Sequence, residues 1–170
     1  MFLSSLLKYR TNRLIRKSTS KRNSIAFNEA NKIGIVYTSY GPETTDTVEL
    51  LVDKLKKDGK QVKVLVYERN TSVKHLPFDT FTGNDINFWC QFKNDKIINF
   101  IDQNFDFLFF LDERPNIIIK NILAKSKAKC IVGKYSEENE ALLNLMVMHK
   151  KGETADEIVN KIYHYAKLVS

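Results

Sequence analysis

The run Phe105-Asp106-Phe107-Leu108-Phe109-Phe110-Leu111 is the most apolar stretch of the chain. A short continuous run of this kind suits a strand covered on both faces, which a parallel sheet layered between helices provides. Its neighbours repeat the theme. Ile33-Gly34-Ile35-Val36-Tyr37 and Val62 to Tyr67 are short, β-branched runs, Lys129 to Val132 reads as a further strand, and Leu143 to Met148 as a last, shorter one. Helical signals lie between them. Gly41-Pro42-Glu43 opens a helix with Pro in its first turn and an acid at its positive end, carries Val48, Leu51, Val52 and Leu55 at helical spacing, and stops at Asp58-Gly59. Asp95 caps a helix through Phe100 and Ile101, and Pro115 opens another with Ile118, Ile119, Ile122 and Leu123. Thr154 and Glu157 form a capping box for a closing helix that runs to Val169. The segment from Glu68 to Asn87, punctuated by Pro77 and Gly83, reads as polar and irregular. Strands alternating with helices of this length predict an α/β domain: one doubly wound, mostly parallel sheet with right-handed crossovers.

At 170 residues the chain has room for one domain with a substantial core. Its two cysteines are too few for a disulfide framework, and neither lies at metal-ligand spacing with a histidine. Cys130, inside the apolar run Cys130-Ile131-Val132, is expected to be a buried thiol. His75, His149 and His164 are far apart in sequence, so no metal and no catalytic constellation is expected. No stretch approaches the roughly eighteen apolar residues of a membrane-spanning helix. The apolar part of the N-terminus is short and precedes its positive charge, the reverse of a secretory signal. A cytoplasmic location is the expectation, although an Arg-rich, acid-free start is also how a transit peptide reads.

The formal net charge of +7 is unevenly placed. Residues 1–25 carry Lys8, Arg10, Arg13, Arg16, Lys17, Lys21 and Arg22, and the first acid is Glu29. That leaves twenty Lys and Arg against twenty Asp and Glu in the rest, so a neutral domain over 30–170 follows a basic segment over 1–25. On a helical projection Phe2, Leu3, Leu6, Leu7 and Leu14 share a face, with Lys8, Ile15 and Arg16 elsewhere and Arg10, Arg13 and Lys17 intruding on the apolar arc. Two readings stay open. In one, the helix packs Leu3, Leu7 and Leu14 on its own domain and shows its cations to water. In the other, the cations attach to an anionic partner, by apolar burial plus charge at a membrane surface or by counterion release on RNA. Phe2 and Tyr9 are the segment's only aromatics, so base-specific reading is not expected. The aromatics Phe78, Phe81, Phe88, Trp89 and Phe92 either form an exposed patch or tuck onto the core.

Ligands on doubly wound sheets bind beyond the carboxyl ends of the strands. Three places qualify. Thr38-Ser39-Tyr40-Gly41-Pro42-Glu43-Thr44-Thr45, with its hydroxyls at a helix start, resembles the phosphate loop of flavodoxins, which implies a Rossmann- or flavodoxin-like fold. The flavodoxin Thr-Gly-Asn-Thr is missing, and Glu43 stands where phosphate would sit. Asp112-Glu113-Arg114-Pro115 follows the central strand. There the surrounding run, Phe105 to Gly133, resembles the N-terminal half of heptosyltransferase-type glycosyltransferases, enzymes that need a second domain this chain has no residues to supply. Gly133-Lys134-Tyr135 offers a lysine to an anion. From these places Ser39, Gly41, Thr44, Asp112 and Lys134 are the candidate ligand-binding residues.

From basic leader to terminal helix the organisation resembles an uncharacterised small family of Bacteroidota, catalogued as a domain of unknown function, which implies no activity. The sequence therefore predicts a non-catalytic binding or adaptor domain, without a cofactor, whose leader engages RNA, a ribosome or a membrane surface. The alternative is a small-molecule or nucleotide-type ligand at the strand ends.

Overall fold

Successive residues of a strand point to opposite faces, and in the first strand both faces are dry: Ile33, Ile35 and Tyr37 are buried on one side and Val36 on the other. The computed structural model describes residues 2–18, 22, 25–69, 76–87, 89, 91–112, 116–150 and 152–169. Within them lie six strands, β1 (Lys32–Ser39), β2 (Gln61–Glu68), β3 (Asp79–Phe81), β4 (Phe107–Phe110), β5 (Cys130–Lys134) and β6 (Leu145–Val147). Five helices accompany them: α1 (Phe2–Ser18), α2 (Pro42–Lys57), α3 (Asp95–Asp102), α4 (Ile117–Lys125) and α5 (Ala155–Lys167). The strands form one sheet in the order β3-β2-β1-β4-β5-β6, and every pairing is parallel.

This is a Rossmann-like winding. The chain leaves β1 toward β2 and β3, then returns to the other side of β1 for β4, β5 and β6. Crossovers of one hand must then use opposite faces of the sheet. They do so: α2 packs with α5 against Ile35, Val64 and Val66, while α3 and α4 pack with α1 against Val36, Leu65 and Leu108. The strand order reverses between β1 and β4.

Several expectations need correction. Within the segment read as irregular, Asp79–Phe81 is an edge strand, paired to β2 with Phe81 buried. Between α1 and β1, Phe27 belongs to the core; its ring packs on Phe107, and its carbonyl takes a hydrogen bond of 2.8 Å from Lys60 Nζ. The fourth helix is capped by Asn116, whose Oδ1 accepts from the amides of Ile118 and Ile119. A side-chain acceptor satisfies amides that Pro115, which lies outside the described residues, has no means to satisfy. Of the aromatics between 78 and 92, Phe81 is core, Phe78 and Phe92 pack against it, and Trp89 stands in solvent. Phe88 lies outside the described residues.

The first helix also differs in detail. Its buried stripe is Leu7, Thr11 and Ile15, flanked by half-buried Leu6 and Leu14. Ile15, placed off the apolar face by the projection, is inside because positions i, i+4 and i+8 share a stripe that α4 covers. The buried Thr11 hydroxyl accepts a 2.9 Å hydrogen bond from Asn121 Nδ2 of α4, a polar pair closing a separation of 110 residues. The basic segment is thus part of the domain's packing.

At β5 the sheet leaves no room for a side chain. A Cβ on Gly133 would stand 2.8 Å from the Phe110 carbonyl oxygen of β4, a backbone atom with no freedom to retreat.

Candidate functional site

The two ends of β4 each hold a carboxylate with several donors. At its start, Asp106 accepts from the amides of Asn31 (2.8 Å) and Lys32 (3.0 Å) and from Lys129 Nζ (2.7 Å). Burial pushes its carboxyl up, but these donors outweigh burial and hold it below the usual carboxylate range. At the far end, Asp112 is buried and accepts from the Thr38 amide (2.8 Å) and hydroxyl (2.5 Å). There burial wins over the two Thr38 bonds, and the carboxyl is raised.

Asp112 lies at the strand-order reversal, beside a cavity of about 170 Å³ lined by Tyr37, Thr44, Leu111, Asp112, Lys134 and Ile158 among others. Of the five residues nominated at the strand ends, the fold brings Thr44, Asp112 and Lys134 to this cavity, and Lys134 is only 6% exposed. Ser39 ends β1 outside the lining, and Gly41 precedes α2 at φ 145°, a conformation that suits glycine, so its place is a backbone requirement. Tyr37, fully buried, lines the cavity with its hydroxyl 3.4 Å from Thr45 Oγ1. The cavity is smaller than the roughly 300 Å³ at the lower end of ligand pockets, so it suits a small molecule or the end of a larger one.

The α2 N-terminus, where phosphate would bind in a flavodoxin-like site, faces an acidic cleft. Glu43, Asp46 and Asp156 line it together, and Thr47 donates to Asp156, joining α2 to α5. Those carboxylates oppose the field that draws an anion to a helix start. Glu113 and Arg114 lie outside the described residues. Among the described residues, no group of three His, Cys, Asp or Glu is placed to hold a metal ion. Cys130 is buried, and burial pushes its thiol up to about 11, out of the range of a nucleophilic thiolate.

The cations of the leader divide by position. Lys8, Arg10, Arg13, Arg16 and Lys17 are exposed on α1. Arg22 is half-buried, and its guanidinium donates to the carbonyls of Leu123 (2.9 Å) and Leu142 (3.2 Å), stapling the chain after α1 to the body. Lys21 lies outside the described residues. Arg10, Arg13 and Lys17, spaced i, i+3 and i+7, form one edge of a groove of about 410 Å³ whose remaining lining is Leu14, Trp89, Gln91, Asn121 and Lys125. Among the described residues, four cations and no carboxylate line it.

The sequence offers Trp89 only as one of five aromatics that form an exposed patch or tuck onto the core, and it does not single out Gln91, Asn121 or Lys125. Trp89 carries a visible signal as the chain's one tryptophan, set between Phe88 and Phe92. Asn121 and Lys125 carried none, because their place in the groove depends on α1 docking against α4.

No helix among the described residues is long and apolar enough to cross a membrane. Residues 4–169 match the model of a protein family of unknown function. A search of curated proteins found no match.

Proposed function

The chain belongs to the Family of unknown function (DUF6913), so its role has to be argued from its own surface, and we propose that it is a non-catalytic binding domain whose first helix engages RNA. The observation that carries this reading is the division of α1: Leu7, Thr11 and Ile15 are spent in the core, and Lys8, Arg10, Arg13, Arg16 and Lys17 face outward. A helix that binds a bilayer inserts its apolar face into the headgroup boundary. Here that stripe is already occupied by α4. What remains is a cationic surface, and such a surface binds phosphate backbones by releasing counterions. The neutral remainder of the chain focuses the attraction on this one face.

The test compares the chain with its Arg10→Gln, Arg13→Gln, Lys17→Gln triple variant. RNA affinity, measured by filter binding across a salt series, should fall at least about tenfold at low salt, with a salt slope shallower by about 2 to 3. Unchanged RNA binding by the variant, or sedimentation with anionic vesicles in the absence of any RNA binding, would defeat the reading.

A second reading rests on the cavity at the strand-order reversal, where Thr44, Asp112 and Lys134 meet. There the domain takes a small polar ligand carrying a carboxylate or phosphate for Lys134. Thermal-shift measurements with small carboxylates and phosphates should show stabilisation that Lys134→Met removes. A shift of equal size in both proteins would put the ligand elsewhere.

A further inference from the structure

The groove beside α1 holds an aromatic as well as cations, and that combination narrows what it binds. Trp89 is 61% exposed, an unusual position for the largest side chain in the chain. It is held there. Asn87 Oδ1 accepts from the amides of Trp89 (2.9 Å) and Gln91 (3.0 Å), the Asn87 amide donates to the Gln91 carbonyl (2.9 Å), and Ile86 bridges Phe92 at the base of the loop. Arg10 Nη1 donates to the Trp89 carbonyl at 2.7 Å, tying the loop tip to α1. Across the groove, Lys125 closes the last turn of α4, its ammonium 4.9 Å from the centroid of the Phe92 ring. Asn121, 1% exposed, forms the floor with its amide bonded to Thr11.

We propose that this groove binds single-stranded RNA, with a base stacked on Trp89 and the flanking phosphates taken by Arg10, Arg13, Lys17 and Lys125. The proposal rests on the RNA reading above and narrows it. Binding of single strands without sequence preference combines a positive groove that tracks the backbone with aromatic platforms for the bases. Both components line the same recess here. A duplex keeps its bases stacked inside and offers a phosphate surface without a base face for Trp89. One aromatic platform grips a base by its π-face, so the site is tolerant of sequence.

Because Trp89 is the chain's single tryptophan, its emission reports directly on the groove. The full chain is titrated with a single-stranded oligouridylate, with an RNA duplex of matched length, and with inorganic polyphosphate. The oligouridylate should quench the emission and bind more tightly than the duplex, whereas polyphosphate should compete for the site without stacking-type quenching. Trp89→Ala, which removes the reporter and is therefore read by filter binding for the oligouridylate and by competition with it for polyphosphate, should weaken oligouridylate binding about tenfold, the loss expected for one stacked base, and leave polyphosphate binding unchanged. Lys125→Gln should weaken both ligands, since it stands across the groove from α1. If single strand and duplex bind alike without quenching, and Trp89→Ala binds as the parent does, the stacking proposal is overturned while the RNA reading stands. If polyphosphate binds but neither RNA does, or if none of the three binds, both fall.

Discussion

Asp106 and Asp112 flank the same strand and titrate in opposite directions, and the difference lies in their donors. Asp106 has an ammonium and two amides; Asp112 has one amide and one hydroxyl in a drier setting. For Asp106 the folded value is lowered, so its stabilising contribution is present above the unfolded value and is lost as pH falls through the folded one. For Asp112 the folded value is raised, so its contribution is whole below the unfolded value and is lost as pH rises through the folded one. Asp112→Asn keeps an acceptor for the Thr38 amide and stays neutral at every pH. Relative to this variant, the parent should therefore lose stability as pH rises above ~4, where an unfolded aspartate titrates. Urea denaturation of both proteins along a pH series measures the difference, and a constant gap between them would refute the assignment. Both carboxylates are visible in the sequence as polar interruptions bounding an apolar run. Their directions are not, because they depend on Thr38 of β1 and on Lys129, just before β5, which the fold brings from elsewhere in the chain.

Among the elements, α1 is where packing decides between two readings left open by the residues alone. Leu7 is 4% exposed and belongs to the core cluster of α3 and α4. Leu7→Ala should destabilise the domain by about 2–4 kcal/mol, the usual cost of emptying a buried leucine site, as read by urea denaturation. A loosely attached leader would leave the midpoint where it was. The elements with long, periodic apolar patterns were legible: the four longer strands, α2 and α5 fall where spacing, Gly59 and the Thr154 cap put them, whereas α3 and α4 fall at their apolar spacing but are capped by Asn94 and Asn116 in place of Asp95 and Pro115. What escaped was short or depended on a distant partner. Asp79–Phe81 is three residues long and is defined by backbone bonds to β2. Phe27 looks like a linker residue until Phe107 and Lys60 surround it. Ile15 falls off the projected face because a helical wheel does not know the direction from which α4 approaches. At the strand ends, the candidate residues lay in the right region, but whether they shared a cavity depended on the side chains of Tyr37 and Leu111, which no spacing rule reports.

At the scale of the whole molecule, the bond between Thr11 and Asn121 spans most of the fold: the first helix is finished against the middle of the chain. A ribosome making this protein releases α1 long before α4 exists. Through that interval Leu7, Leu14 and Ile15 lack the α4 side chains that share their cluster in the finished fold. The nascent segment is then a cationic amphipathic peptide of the kind that adheres to lipid and to RNA alike. Emergence of α4 withdraws the apolar half of that character and leaves the basic half. On the proposed RNA reading, folding is then the step that takes the apolar stripe away from lipid and leaves the cations for phosphate.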